Sequence, residues 1–401
     1  MTPNAFERGA KPRRGAIAAA AAVIASTAAL AGCASSSAPA TGNATTTAGA
    51  AAVSLATSMS TAEDTWAIVP MTANPTFWEV FVRPASSATW RLVTPPGVAD
   101  NGGLVAAIDG GRSLTVAVRP SQDLTFTPLT STADAGGSWS TGSPLSAGVA
   151  ASPGALAVSG RELAALLGNG TIETSADAGG SWQTLAKPTA IAASAAGRQC
   201  GTVRVSAVSF GPGPDAVLAA GRCGATGAAA FFSHTAAGGW QRLSLPASGQ
   251  LVRLGDGTVL VKGKAGLTGL WLGGWYAYAP LSGSTAGASA ANWSASAALP
   301  VTSQVVASGG LASGSAQTPA AGMWVLLPGG QAATISGPKQ QWLLLPPTPA
   351  HTSVLASGPG GSVDALAVSG TRLTVWQLDR GATIWAKAQT MSVPIQYGSS
   401  S

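Results

Sequence analysis

The sequence predicts an all-β fold, a β-propeller most consistent with seven four-stranded blades, preceded by a leader and a tether that lie outside the fold. Three observations carry this reading. Tryptophan recurs seven times at a mean spacing of about 49 residues, each time followed within ten residues by proline. A propeller blade of four strands takes about 40–50 residues. Short apolar and β-branched runs bounded by glycine fill the intervals, and their lengths suit strands rather than helices. The 52 glycines and 26 prolines interrupt almost every window long enough for a helix, which excludes a helical bundle.

The anchors are Trp90, Trp139, Trp182, Trp240, Trp293, Trp342 and Trp385, spaced 49, 43, 58, 53, 49 and 43 residues apart. Each is expected to open the outer strand of a blade and to bury a large apolar area. Strands are predicted at Leu114–Val118, Ala155–Val158, Thr202–Val208, Thr258–Val261, Ser303–Val306, Thr352–Leu355, Asp364–Val368 and Leu373–Leu378. Six or eight blades also fit, because little sequence precedes Trp90. Ring closure is expected to draw on residues 52–70 or on the tail Val393–Tyr397. Radial packing of small sheets protects their edges.

Two segments are almost identical: Thr132-Ala-Asp134-Ala-Gly136-Gly-Ser-Trp139 and Ser175-Ala-Asp177-Ala-Gly179-Gly-Ser-Trp182. A third, Ser233 to Trp240, lacks the Asp and the first Gly. The pattern Ser/Thr-x-Asp-x-Gly-x-x-Trp resembles the Asp-box of sialidase-like (BNR) propellers. The resemblance implies that Asp134 and Asp177 hold the hairpin between a blade's third and fourth strands. Aspartate in a tight turn accepts bonds from backbone N–H groups a few residues on, and glycine supplies backbone angles that other residues resist. The role implied is structural.

The N-terminus reads as a targeting segment. Arg8, Lys11, Arg13 and Arg14 precede an uncharged run from Gly15 to Gly32, the layout of an export signal. The run ends Leu30-Ala31-Gly32-Cys33, which resembles the bacterial lipobox. The resemblance implies cleavage after residue 32, lipidation of Cys33, and anchoring at the outer face of the cytoplasmic membrane. Arg13-Arg14 followed by Gly15-Ala16-Ile17 departs from the twin-arginine pattern, and the export route stays open. Residues 33–62, dominated by Ala, Ser and Thr, read as the lipidated cysteine and a tether that buries too little to order itself. The propeller is assigned to 63–401. Lipobox and Ala/Gly-rich composition together point to an actinobacterium.

Charge and cysteine content limit the chemistry. Of the formal +6, residues 1–32 carry +3, and the remaining +3 is spread without runs. No basic stripe supports nucleic-acid binding. Cys200 and Cys223 remain beyond Cys33, and in an exported chain an even pair reads as a disulfide. His234 and His351 lie at no zinc-ligand spacing from a cysteine, and no glycine loop followed by Lys cradles a phosphate. No cofactor, no metal and no catalytic residue is assigned. A sialidase would need three clamping arginines, a Tyr nucleophile with its Glu, and an Asp. The nearest string to that family's Phe-Arg-Ile-Pro is Phe81-Val82-Arg83-Pro84, with the order broken, so nothing is carried over to Arg83. Trp271, Trp275, Tyr276 and Tyr278 form the densest aromatic group and are candidate ligand-face residues, with interblade packing as the alternative. The functional expectation is a membrane-anchored, non-catalytic scaffold for an envelope protein. The alternatives are a glycan or cell-wall binding module and, behind it, a sialidase-like hydrolase.

Overall fold

The computed structural model describes residues 54–394 except 72–76, 97–101, 120–123, 202, 212–215, 225–226, 236–238, 244–249, 256–257, 264–265, 273–292, 302, 313–321 and 338–339. Cys33, Trp275, Tyr276 and Tyr278 lie outside the described residues.

The described strands form seven four-stranded antiparallel sheets, each from four consecutive strands. Blade 1 holds β1 (Thr57–Ser60), β2 (Asp64–Met71), β3 (Phe77–Pro84) and β4 (Arg91–Leu92). Blade 2 holds β5 (Leu104–Ile108), β6 (Leu114–Val118), β7 (Leu129–Thr132) and β8 (Ser140–Thr141). Blade 3 holds β9 (Leu156–Ser159), β10 (Glu162–Leu166), β11 (Ile172–Ser175) and β12 (Gln183–Ala186). Two short helices, α1 (Pro188–Ala193) and α2 (Ala195–Cys200), lead to blade 4: β13 (Val203–Phe210), β14 (Val217–Cys223), β15 (Ala229–Thr235) and β16 (Gly239–Leu243). Blade 5 holds β17 (Gln250–Gly255), β18 (Thr258–Gly263), β19 (Gly266–Leu272) and β20 (Trp293–Ala295). Blade 6 holds β21 (Ala307–Leu311), β22 (Gly322–Leu326), β23 (Ala332–Ile335) and β24 (Leu343–Leu344). Blade 7 holds β25 (Thr352–Ser357), β26 (Val363–Ser369), β27 (Arg372–Leu378) and β28 (Ala386–Ser392).

All seven tryptophan anchors stand at the start of a fourth strand, as the spacing predicted. First strands of neighbouring blades touch, β5 with β9, β9 with β13, β13 with β17, and β21 with β25. The first strand of each blade therefore faces the axis and the fourth forms the rim. Burial follows: β5, β6 and β22 are buried throughout, whereas β8 and β24 are exposed. The core is a series of layers between blades. Met59, Trp66, Ile68 and Val80 of blade 1 pack with Leu104, Leu114 and Val116 of blade 2. Burying each such Leu, Ile or Val contributes about 1.5–3 kcal/mol relative to exposure.

Three expectations need correction. Trp90 is fully buried, but Trp139, Trp182, Trp240, Trp342 and Trp385 are half-buried, because the rim leaves one ring face uncovered. The strand predicted at Ser303–Val306 forms later, at β21, where Gly309 lets the Trp324 ring lie against the backbone; a Cβ there would come within 2.5 Å of the indole nitrogen. The first strand begins at Thr57, inside the segment that composition assigned to the tether. Its three small hydroxyl residues and Met59 carry no apolar periodicity, yet all four residues are buried.

Candidate functional site

The two intact Asp-boxes are turns between third and fourth strands, β7 to β8 and β11 to β12. The Thr132 hydroxyl donates to Asp134 Oδ1 at 2.8 Å and accepts from the Gly136 N–H at 2.9 Å. The Ser138 N–H reaches Asp134 Oδ1 at 2.8 Å and its hydroxyl reaches Oδ2 at 2.7 Å. Ser175, Asp177, Gly179 and Ser181 repeat the arrangement at 2.7–2.9 Å. The Ser138 hydroxyl and N–H hold the Asp134 carboxylate well below the usual range. The hydroxyl of Ser175 and the Ser181 N–H hold Asp177 down to about 2. Both carboxylates are thereby occupied as turn acceptors. Ala135 and Ala178 adopt left-handed φ values of 59° and 61°, so a side chain stands where glycine is preferred.

These turns also join blades. A Cβ at Gly136, where φ is +78°, would strike Val93 of blade 1 at 2.5 Å, so glycine is required for that approach. The Ser143 N–H and hydroxyl of blade 2 donate to the carbonyls of Gly179 and Gly180 in blade 3, each at 2.7 Å. The rim tryptophans extend the pattern. Trp182 Nε1 donates to the Ser143 carbonyl at 3.1 Å, Trp342 to Ala297 at 3.1 Å, and Trp385 to Pro346 at 3.4 Å. Each acceptor lies four residues past the anchor tryptophan of the preceding blade.

The junction between blade 7 and blade 1 is built differently. Four residues past Trp385 stands Gln389, whose side chain accepts from the Trp90 N–H at 2.8 Å and donates to the Trp90 carbonyl at 2.9 Å. The Trp90 indole turns inward and donates to Asp364 Oδ2 at 2.9 Å. Arg83 Nε lies 3.5 Å from the same oxygen, with both side chains almost fully buried. The guanidinium also donates to the Ser357 carbonyl at 2.6 Å and lies over the Trp90 ring, 5.9 Å from its centroid. Burial pushes Asp364 up to about 6 and pulls Arg83 down, against their mutual attraction. On the other side of blade 1, Asp64 pairs with Arg112 of blade 2 at 3.7 Å. Burial raises Glu79 to about 7, opposed by a short hydrogen bond from the Thr94 hydroxyl.

Beside this seam the axis is filled. β1 contacts both β25 and β21. The Thr57 hydroxyl donates to the Ser308 carbonyl at 2.9 Å, Ser58 to Gly310 at 3.2 Å, and the Trp324 indole to the Ser58 hydroxyl at 2.7 Å. Closure thus draws on residues 57–71, and among the described strands none is exchanged between first and last blades. Val393 is buried and its N–H donates to the Thr371 carbonyl at 2.7 Å.

The remaining candidates disperse. Cys200 and Cys223 form a disulfide that ties the end of α2 to β14, with Cα atoms 4.8 Å apart. Trp271 is on β19, where its backbone pairs with Thr258 and Ser294. His234 belongs to β15; it is half-buried against the Trp240 ring, 5.0 Å between centroids, and burial lowers its pKa. His351 stands in the loop before blade 7, beside a groove of about 370 Å³ lined by Val306, Leu326, Pro328 and Thr348. Arg83 is engaged inside the blade 7–blade 1 seam and does not present its guanidinium to a ligand. Sequence reasoning missed Asp64, Glu79, Asp364 and Gln389. The available signal was charge isolated within apolar runs, as in Phe77-Trp-Glu79-Val-Phe-Val-Arg83 and Val363-Asp364-Ala-Leu-Ala-Val368.

Solved structures similar to this chain are propellers. A GH74 xyloglucanase from Xanthomonas campestris aligns at 15% identity and TM-score 0.50, over 80% of this chain and 51% of its own. A putative 6-phosphogluconolactonase from Bacteroides uniformis aligns at 12% identity and TM-score 0.50, over 83% and 97%. YCF48 from Cyanidioschyzon merolae aligns at 12% identity and TM-score 0.46, over 82% and 96%. The chain spans about half the xyloglucanase. At these identities the likeness is one of fold. No family model matches the sequence, and no curated protein matches it.

Proposed function

We propose that the protein is an exported lipoprotein, anchored through Cys33, whose propeller is a non-catalytic scaffold for another protein of the cell envelope. One observation carries the reading. At the rim of blades 6 and 7, Leu343, Leu344 and Ile384 are 64%, 66% and 79% exposed. The bond from Trp385 to Pro346 brings the Ile384 turn against the fourth strand of blade 6. Large apolar side chains gathered at one exposed place mark an interaction surface. The buried seam supports the reading from the other side, since Arg83, Asp364 and Asp64 are engaged between blades.

The test is cross-linking in intact cells expressing the full-length chain, with mass spectrometry of the captured species. A reproducible partner is expected, absent when only the Cys33 tether is displayed and reduced at least fivefold by Leu344→Ser with Ile384→Ser. Capture of wall polymer alone, or a partner indifferent to both substitutions, overturns the scaffold reading in favour of glycan binding.

A further inference from the structure

The topology sorts exposed charge by end. In every blade the first-to-second and third-to-fourth connections lie at one end of the ring, and the second-to-third and blade-to-blade connections lie at the other. Glu63, Asp109, Asp134, Glu162, Asp177 and Asp379 are the described acids that are not buried. All six stand at the first end, where Arg91, Arg112, Arg161, Arg380 and Lys387 nearly balance them.

Among the described residues, the exposed charges at the opposite end are cationic. Lys187 begins the blade 3 to blade 4 connection, Arg198 lies on α2, Arg204 is the second residue of β13, and Arg222 and Arg242 are next to last on β14 and β16. Arg119 and Arg372 add to this end at blades 2 and 7. Arg204 and Arg222 are direct cross-strand partners. β1 starts at this same end, so the chain enters the propeller here from residues 34–53. Those twenty residues plus the first turn of the fold limit the separation from Cys33 to about 70 Å.

We propose that this end of the ring docks on an anionic phospholipid surface, with the Lys187, Arg198, Arg204, Arg222 and Arg242 sector against the headgroups. The inference rests on the lipoprotein reading above and deepens it: the anchor keeps the protein at the bilayer, and the charge sets its orientation. The apolar rim at Leu343, Leu344 and Ile384 belongs to the opposite end and faces away from the membrane. Attraction of this kind is confined to about a Debye length, roughly 10 Å at 0.1 M salt.

The full-length mature lipoprotein, purified from membranes, is reconstituted into phosphatidylcholine vesicles with and without 30% phosphatidylglycerol. A water-soluble acylating reagent then labels Lys187, at the cationic end, and Lys387, at the other; mass spectrometry gives their ratio. The Lys187/Lys387 ratio is expected to fall at least threefold with phosphatidylglycerol, to recover in 0.5 M NaCl, and to stay unchanged in Arg198→Gln/Arg204→Gln with the same Tm. An equal ratio in both vesicle types, or protection of Lys387 instead, overturns the proposal. Equal protection of Lys187 by a short DNA duplex without vesicles overturns it in favour of a soluble polyanion. Failure of the anchor reads out separately, as loss of the chain from pure phosphatidylcholine vesicles in 0.5 M NaCl.

Discussion

Blades 2 and 3 are joined at the rim by bonds to backbone carbonyls, and blades 7 and 1 are joined by buried side chains. At the first junction, Ser143 bonds to carbonyls of the next turn, and an exposed aspartate holds that turn in shape. At the second, Arg83, Trp90 and Asp364 meet in the interior, with Arg83 and Asp364 nearly inaccessible. The difference follows from chain connectivity. A blade added next in sequence is already close to its neighbour, so a generic turn secures it. The closing contacts bridge 274 residues from Trp90 to Asp364 and 299 from Trp90 to Gln389, and loops that long cost more entropy to close than the joins between blades adjacent in sequence. Specific, desolvated bonds offset that entropy and fix which sheet closes the ring.

Breaking the seam is expected to cost most. Asp364→Ala leaves a buried guanidinium and an indole N–H without their acceptor, and should lower unfolding free energy by about 3–5 kcal/mol. Urea titration measures it, and Asp364→Asn, which still accepts the indole bond, should lose less. The disulfide comes next. Its 23-residue separation corresponds to about 3 kcal/mol of denatured-state constraint, so Cys200→Ser/Cys223→Ser should melt lower, by the same shift that reductant produces in the wild type.

The buried carboxylates of blades 1 and 7 and the Asp-box carboxylates should also answer to pH with opposite sign. Burial raises Glu79 from 4.5 to about 7 and Asp364 from 3.8 to about 6. Their contribution is complete below about pH 4 and is lost as pH rises through 6 to 7. The Asp-box carboxylates are depressed, so theirs is present above pH 3.8 and lost as pH falls towards 2. Urea midpoints between pH 4.5 and 8 should therefore decline in the wild type, and Glu79→Gln should flatten that decline. A rise with pH over this range would show that these buried carboxylates are ionised at no cost. The smallest effect is local. Asp177→Ala should speed amide exchange at Ser181, with little change at Ser138, because each turn is held by its own aspartate.

The repeat was legible in the sequence because it is local. Trp139 and Trp182 stand in nearly identical eight-residue segments, and β6 falls on Leu114–Val118 as predicted. Elements whose partners are remote were not legible. Thr57–Ser60 reads as linker by composition; its hydroxyls acquire partners only when β21 and β25 lie beside it. β21 itself contains Ser308-Gly309-Gly310, which propensity argues against, and the Trp324 ring supplies the reason for glycine there. The seam had no repeat to betray it, since Asp364 and Gln389 depart from what the other blades carry.

Closure without strand exchange sets the order in which the molecule can be completed. Ribosomes deliver chains from the N-terminus, and the early part of a chain can fold while the rest is still being made. Blade 1 emerges first with Arg83, Thr57 and Ser58 already in place, yet their partners Asp364, Ser308 and Gly310 follow 251 to 281 residues later. Until then these side chains lack the partners that blades 6 and 7 supply. A nascent chain is thus an open arc whose first sheet stays loose, and a copy truncated before blade 7 never becomes a ring. The last residues synthesised act as a quality check on the first.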